Sequence, residues 1–157
     1  MNAPRLWVVA VVATVILAAS CGGGPPGPAT LDPRHDACRF CRMTVSDPRV
    51  AAQVVAPGEE PMFFDDIGCL AAFLRQETRL PQGAVAYVAD HRTRAWVLAS
   101  SATFTRVDRL ETPMGSHLVA YVDAASRLAD PDTKGGVPVG IPEIFGPAGP
   151  PGGQAPR

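Results

Sequence analysis

Met62-Phe63-Phe64-Asp65-Asp66-Ile67-Gly68-Cys69-Leu70-Ala71-Ala72-Phe73-Leu74 changes its structural period part-way along. Met62-Phe63-Phe64 is a short apolar run that follows the turn signal Pro57-Gly58, and it reads as a returning strand. Asp65-Asp66 then offers side-chain oxygens to the free N–H groups of a first helical turn. Ile67, Leu70, Ala71 and Leu74 recur at i, i+3, i+4 and i+7, which is one apolar face of a helix. A strand that runs directly into an amphipathic helix is the unit from which the rest of the fold can be read.

Upstream, Thr44-Val45 and Ala51 to Val55 read as short strands separated by the turn Ser46-Asp47-Pro48. Downstream, Pro81-Gln82-Gly83 closes the first half. Ala84 to Ala89 is a strand, His91-Arg92-Thr93-Arg94 a polar turn, and Ala95 to Leu98 another strand. Thr103 to Val107 and Leu118 to Val122 add two more. Asp123 caps a short helix through Leu128, and Val137 to Ile141 is a last strand that Pro138 confines to an edge or a strand start. Two successive strand–strand–helix units predict an α+β fold. One compact domain spans residues 37–145, with halves at about 37–83 and 84–145 related by topology rather than by residue identity. About 110 residues suffice for one independent core.

The two ends differ in character. Leu6 to Ala19 is apolar apart from Thr14, follows the lone charge Arg5, and runs into small residues before Cys21. That is an export signal over residues 1–20, too short for a spanning helix of roughly 20 apolar residues. Leu17-Ala18-Ala19-Ser20-Cys21 resembles a bacterial lipobox, which implies a lipidated Cys21. Residues 21–36 form a Gly/Pro-rich tether, and fully extended Gly22 to Ala37 could reach about 50–55 Å. Residues 146–157 read as a disordered tail. The expected location is therefore the bacterial cell envelope, with the domain lipid-anchored to a membrane and facing the periplasm or the exterior. The formal charge is −1, with 14 Lys and Arg against 15 Asp and Glu and no basic cluster, which argues against a nucleic-acid partner.

Apart from Cys21, three of the four cysteines remain: Cys38, Cys41 and Cys69. An odd number in an exported domain argues against a purely structural disulfide set. Cys38-x-x-Cys41-x-Met43 joins two thiols and a thioether, a soft donor set that suits Cu(I). An extended chain would turn Cys41 and Met43 to one face. Arg39 and Arg42 would favour the thiolate of Cys41. Other readings stand beside this one: Met43 as a filler of a core gap, Cys38 and Cys41 as a thiol–disulfide oxidoreductase pair, or Cys38, Cys41, Cys69 and His91 as a structural zinc module. Cys69 lies in the first helical turn, where the dipole lowers a thiol pKa and neighbouring Asp65 and Asp66 oppose it. Met114 and His117 flank a loop-to-strand junction and are candidate further ligands. His91, in its turn, is expected to be solvated.

The ordered blocks resemble the NosL family of copper-binding accessory lipoproteins of nitrous oxide reductase maturation. They are Cys21, Cys38-x-x-Cys41-x-Met43, Phe64-Asp65-Asp66-Ile67-Gly68-Cys69, Ala86-Tyr87-Val88, Ala95-Trp96 and Pro113-Met114-Gly115-Ser116. The resemblance implies two similar β–β–α–β units, a fold also likened to that of organomercurial lyases; by that fold analogy alone, Cys41, Cys69 and Asp65 could be posed as the Cys pair and acid of a lyase-type enzyme. It implies a non-enzymatic Cu(I) metallochaperone whose partners are nitrous oxide reductase, or a related cuproprotein, and an ABC-type membrane complex. By position, Cys41 and Met43 match the family's copper ligands, Cys38 the accompanying thiol, and Met114 the Pro-Met-Gly block. Arg42 stands where the family usually has Gly, and so does His117.

Overall fold

The computed structural model describes residues 24–77 and 79–152. The export signal, Cys21 and residues 153–157 lie outside them. Seven strands run in order: β1 (Ala52–Val55), β2 (Met62–Phe64), β3 (Val85–Ala89), β4 (Trp96–Leu98), β5 (Thr103–Arg106), β6 (Leu118–Tyr121) and β7 (Val137–Val139). Among the described residues three α-helices accompany them, α1 (Ile67–Gln76), α2 (Ala124–Leu128) and α3 (Ile141–Phe145), with a short 3-10 turn at Pro131–Thr133. Two antiparallel sheets result, with strand orders β2-β1-β3-β4 and β6-β5-β7. The fold is α+β, as expected.

Each sheet begins with a hairpin, sends the chain through a helix, and receives a third strand on the far side of the first. The orders β2-β1-β3 and β6-β5-β7 express that shared path. The division differs from the expected halves at 83 and 84. β3 belongs to the first sheet and β4 adds to its edge, so the sheets part between Leu98 and Thr103. The physical reason is the His91–Arg94 turn. It folds β4 back on β3, pairing Val88 with Val97, so β3 keeps company with both β1 and β4.

Asp66 caps α1, its carboxylate accepting the Gly68 N–H at 2.6 Å. Ile67, Leu70 and Ala71 are buried as the apolar stripe requires, and so is Cys69. α1 packs on β1, β2, β6 and α3, and Arg75 donates to the Ile144 carbonyl of α3 at 2.9 Å. One core cluster therefore spans both sheets, from Phe64 and Leu70 to Phe104, Leu118 and Phe145. Burying each large side chain contributes about 1.5–3 kcal/mol. The sheets are tied at the end of β3. His91 N–H donates to the Ala120 carbonyl, and Asp90 accepts from Val122 N–H and Ser126 Oγ.

Four local expectations change. Thr44 makes only an isolated bridge with Ala37 and no strand, because the chain between them is closed into a tight turn. The last strand stops at Val139, and Gly140-Ile141-Pro142 opens α3 instead; Pro suits a first helical turn. The tether is docked from Pro26 onward. Tyr87 Oη donates to the Pro26 carbonyl at 2.8 Å, and buried Gln53 both accepts from Ala29 N–H and donates to the Ala29 carbonyl. The start of the tail is docked as well, with Ala86 N–H donating to the Pro151 carbonyl at 3.1 Å. These segments lack apolar bulk, but they supply backbone carbonyls that the sheet's remaining donors need.

Candidate metal centre

The loop from Cys38 to Met43 is built by its own backbone. Cys38 N–H donates to the Met43 carbonyl at 2.7 Å and Arg42 N–H to the Cys38 carbonyl at 3.0 Å. Such a turn needs one residue in the left-handed region, and Arg42 takes it with φ 69. Cys41 and Met43 therefore do not share the face of an extended strand, as the spacing suggested. The loop is pinned to β2 by Arg39 N–H donating to the Phe63 carbonyl at 2.7 Å. That contact brings the loop's thiols over the N-terminus of α1.

Three thiols and one carboxylate converge there. One ligand atom from each of Cys38, Cys41, Asp65 and Cys69 lies within 4.8 Å of all the others. Cys38, Cys69 and Asp65 are buried and Cys41 is half-buried at the lip. Cys41 Sγ donates to Asp65 Oδ2 at 3.2 Å. Asp65 Oδ1 is buried with no hydrogen-bond partner. Ligands around one ion with metal–sulfur bonds of about 2.3 Å sit roughly 3.8–4.0 Å apart. Small side-chain rotations would close the set, and an orphaned buried carboxylate oxygen is an acceptor that a cation satisfies. The donor chemistry thus fits a metal.

Burial pushes the Cys41 thiol up to about 11, helped by Asp65 and Cys38 and opposed by the Met43 N–H. Burial also raises Cys69 strongly, with Asp65 and Cys38 adding to it. The expected lowering by Arg39, Arg42 and the helix terminus is overturned, because both arginines are exposed while the thiols are shielded from water. At neutral pH Cys41 and Cys69 are therefore protonated, and an incoming metal must displace their protons. Cys38, Cys41 and Cys69 form no disulfide among the described residues.

Asp66 organises a second loop over the same helix end. Its Oδ2 accepts from Thr112 Oγ1 at 2.6 Å and from Met114 N–H at 3.1 Å, while Oδ1 caps α1. Met114 is 47% exposed and Met43 53%, so each loop flanking the thiols presents a thioether to solvent. His117 stays outside the cluster, its Nδ1 bonded to the Leu110 carbonyl at 2.8 Å. It too takes a left-handed backbone, with φ 58. The two positions where the resemblance implies Gly, 42 and 117, are thus both left-handed here.

His91 is not solvated. It is 2% exposed, its Nδ1 lies 2.7 Å from Asp130 Oδ2, and Tyr121 Oη donates to Asp130 Oδ2 at 3.1 Å while lying 2.8 Å from the Thr133 hydroxyl. That network belongs to β6 and the turn after α2, so the zinc set with His91 is not assembled. Asp65 occupies the fourth place instead. The sequence carried a signal for this: a helix start needs one N-cap, and Asp65-Asp66 supplies two carboxylates. Asp65 with Cys41 and Cys69 also brings together the acid and thiols of the lyase-type reading.

A family model for NosL matches residues 28–144. The chain belongs to the NosL family. Comparison with the curated proteins and with the solved structures returned no match. NosL proteins are copper-binding accessory proteins rather than a class of enzymes, and the Cys/Asp cluster supports a copper-binding role for this NosL protein. The match begins at Pro28, inside the docked tether, and ends in α3, so it takes in both sheets and every residue of the cluster.

Proposed function

We propose that this protein is a membrane-anchored Cu(I) metallochaperone that supplies copper for the maturation of nitrous oxide reductase or a related extracytoplasmic cuproprotein, working with an ABC-type membrane complex. The observation that carries the proposal is the half-buried Cys41 at the lip of a three-thiol cluster, with exposed Met43 and Met114 on the flanking loops. Thiols and thioethers together favour Cu(I) over harder ions. A site with one ligand at the surface lets a partner's donors displace the protein's own one at a time. Cys38 and Cys69 hold the ion from within, Cys41 is the ligand exchanged first, and Met43 and Met114 are the surface donors. Lipidation of Cys21 would keep the domain at the membrane where the complex sits.

Competition against a chromogenic Cu(I) chelator under reducing conditions tests the metal. One Cu(I) per chain is expected, and Cys41→Ser weakens it by at least a hundredfold. Unchanged affinity in that variant removes Cys41 from the site. Asp65 gives a second reading some weight, because three thiols and a carboxylate also suit Zn(II). Stoichiometric zinc in protein purified without added copper, with unfolding on its removal, would favour that reading.

A further inference from the structure

A groove of about 580 Å³ lies on the outer side of the metal loop, lined on both sides of Cys38 by Ala37 and Arg39. Its floor is apolar, made by Met62, Phe73 and Leu80, all partly buried. Its rim carries the carboxylates of Asp36, Glu59, Glu60 and Glu77 against the guanidiniums of Arg39 and Arg79. None of these six forms an ion pair among the described residues. Four acids against two bases leave two negative charges in one groove, while the whole chain carries only −1. The remaining residues therefore sum to +1, opposite in sign to the groove.

We propose that this groove docks an extended segment of a partner protein, one with lysine or arginine on either side of a bulky apolar side chain. Complementarity of charge selects the flanking residues, and the apolar floor takes the residue between them. β2 is an edge strand, but its Phe63 carbonyl is already taken by Arg39 N–H. The segment is consequently read by its side chains at the groove and not by adding a full strand. A peptide lying here touches Ala37 and Arg39, the two neighbours of Cys38, so docking and metal exchange share one loop. Identifying the partner as the one that exchanges copper rests on the Cu(I) reading; the chemistry of the groove does not.

The test uses fluorescence anisotropy with the full chain in detergent and two labelled heptapeptides, one alternating lysine with leucine and one alternating glutamate with leucine. The lysine peptide is expected to bind, about tenfold more weakly in 0.5 M than in 0.05 M NaCl. The double variant Glu59→Lys, Glu60→Lys is expected to weaken it at least tenfold further while keeping its Cu(I) affinity within twofold. The proposal is overturned if the two peptides bind equally, if the lysine peptide does not bind, or if the double variant binds it like the parent. A concentration-dependent dimer that the double variant abolishes would assign the groove to a second copy and overturn it as well. Because Cu(I) affinity is measured on the same samples, loss of copper binding in the parent would be seen separately and would refute only the copper reading.

Discussion

Asp65 and Asp66 are adjacent, both fully buried and chemically identical, yet exchanging each for asparagine should have opposite consequences. Asp66 Oδ2 accepts from Thr112 Oγ1 and from Met114 N–H while Oδ1 holds the α1 cap. Asp66→Asn keeps the cap oxygen but turns the other atom into a donor that faces two donors. The threonine hydroxyl can rotate; the Met114 N–H cannot. Hydrogen bonds to a charged group contribute about 1.5–3 kcal/mol each, and one retained weakly leaves a net loss of about 3 kcal/mol. At the 2–4 °C per kcal/mol that suits a chain of this size, that is a fall in Tm of about 6–12 °C. Among the described residues Asp65 accepts from the Cys41 thiol alone, and its Oδ1 has no partner. Asp65→Asn relieves a poorly compensated carboxylate, so the metal-free protein should change by less than about 1 kcal/mol, or gain. Urea and thermal unfolding of the metal-free protein under reductant measure both. Equal losses in the two variants would refute the division of labour. A Cu(I) titration should then reverse the ranking, with Asp65→Asn the more affected at the metal.

Gly68→Ala places a Cβ 2.7 Å from Ser116 Cβ and 3.0 Å from Asp66 Oδ1, so it should cost about 1–3 kcal/mol despite better helix propensity; Ser116→Gly should restore most of it in a double-mutant cycle. Arg42→Gly removes a left-handed side chain worth about 1–2 kcal/mol of strain against a larger unfolded-state entropy, and a net gain of up to about 1 kcal/mol in denaturant midpoint is expected, whereas Arg42→Val should lose. Burial raises Asp90 and Asp130, but hydrogen bonds prevail and hold both below the usual 3.8: Val122 N–H, Thr93 and Ser126 on Asp90, and His91, Asp132 N–H and Tyr121 on Asp130. A depressed folded pKa stabilises above the unfolded value and the benefit is lost as pH falls through the folded one. Stability should therefore hold from neutral pH to about 5 and drop below about 4, and Asp90→Asn should flatten that acid limb in pH-dependent unfolding.

The strand–helix junction at Phe64 to Leu74 was readable because its signals are local. A change of period, a capping aspartate and an apolar stripe act within a few residues of one another. The same holds for Asp123 and α2, whose cap bonds Ser126 N–H at 2.7 Å. The Gly/Pro segments misled for a related reason. Composition reports that they cannot make a core, and says nothing of whether a sheet will take their carbonyls, as Tyr87 takes that of Pro26. His91 misled likewise, since a turn residue is buried only when a distant acid, Asp130, comes to meet it.

Cysteine and methionine content, their spacing and the order of the blocks were enough to name the family and its soft-metal chemistry, since donor softness is a property of the side chain wherever it sits. Which donors share one site was not. Cys69 lies 31 residues beyond Cys38, and only the pairing of the metal loop with Phe63 brings both over the start of α1. That same closure inverted the expected thiol pKa shifts, because burial by remote segments outweighs the charges next door in sequence. It also decided which aspartate caps the helix and which faces the thiols. Backbone propensity is local and can be read along the chain; solvation and ligand convergence depend on contacts that exist only once the chain has folded.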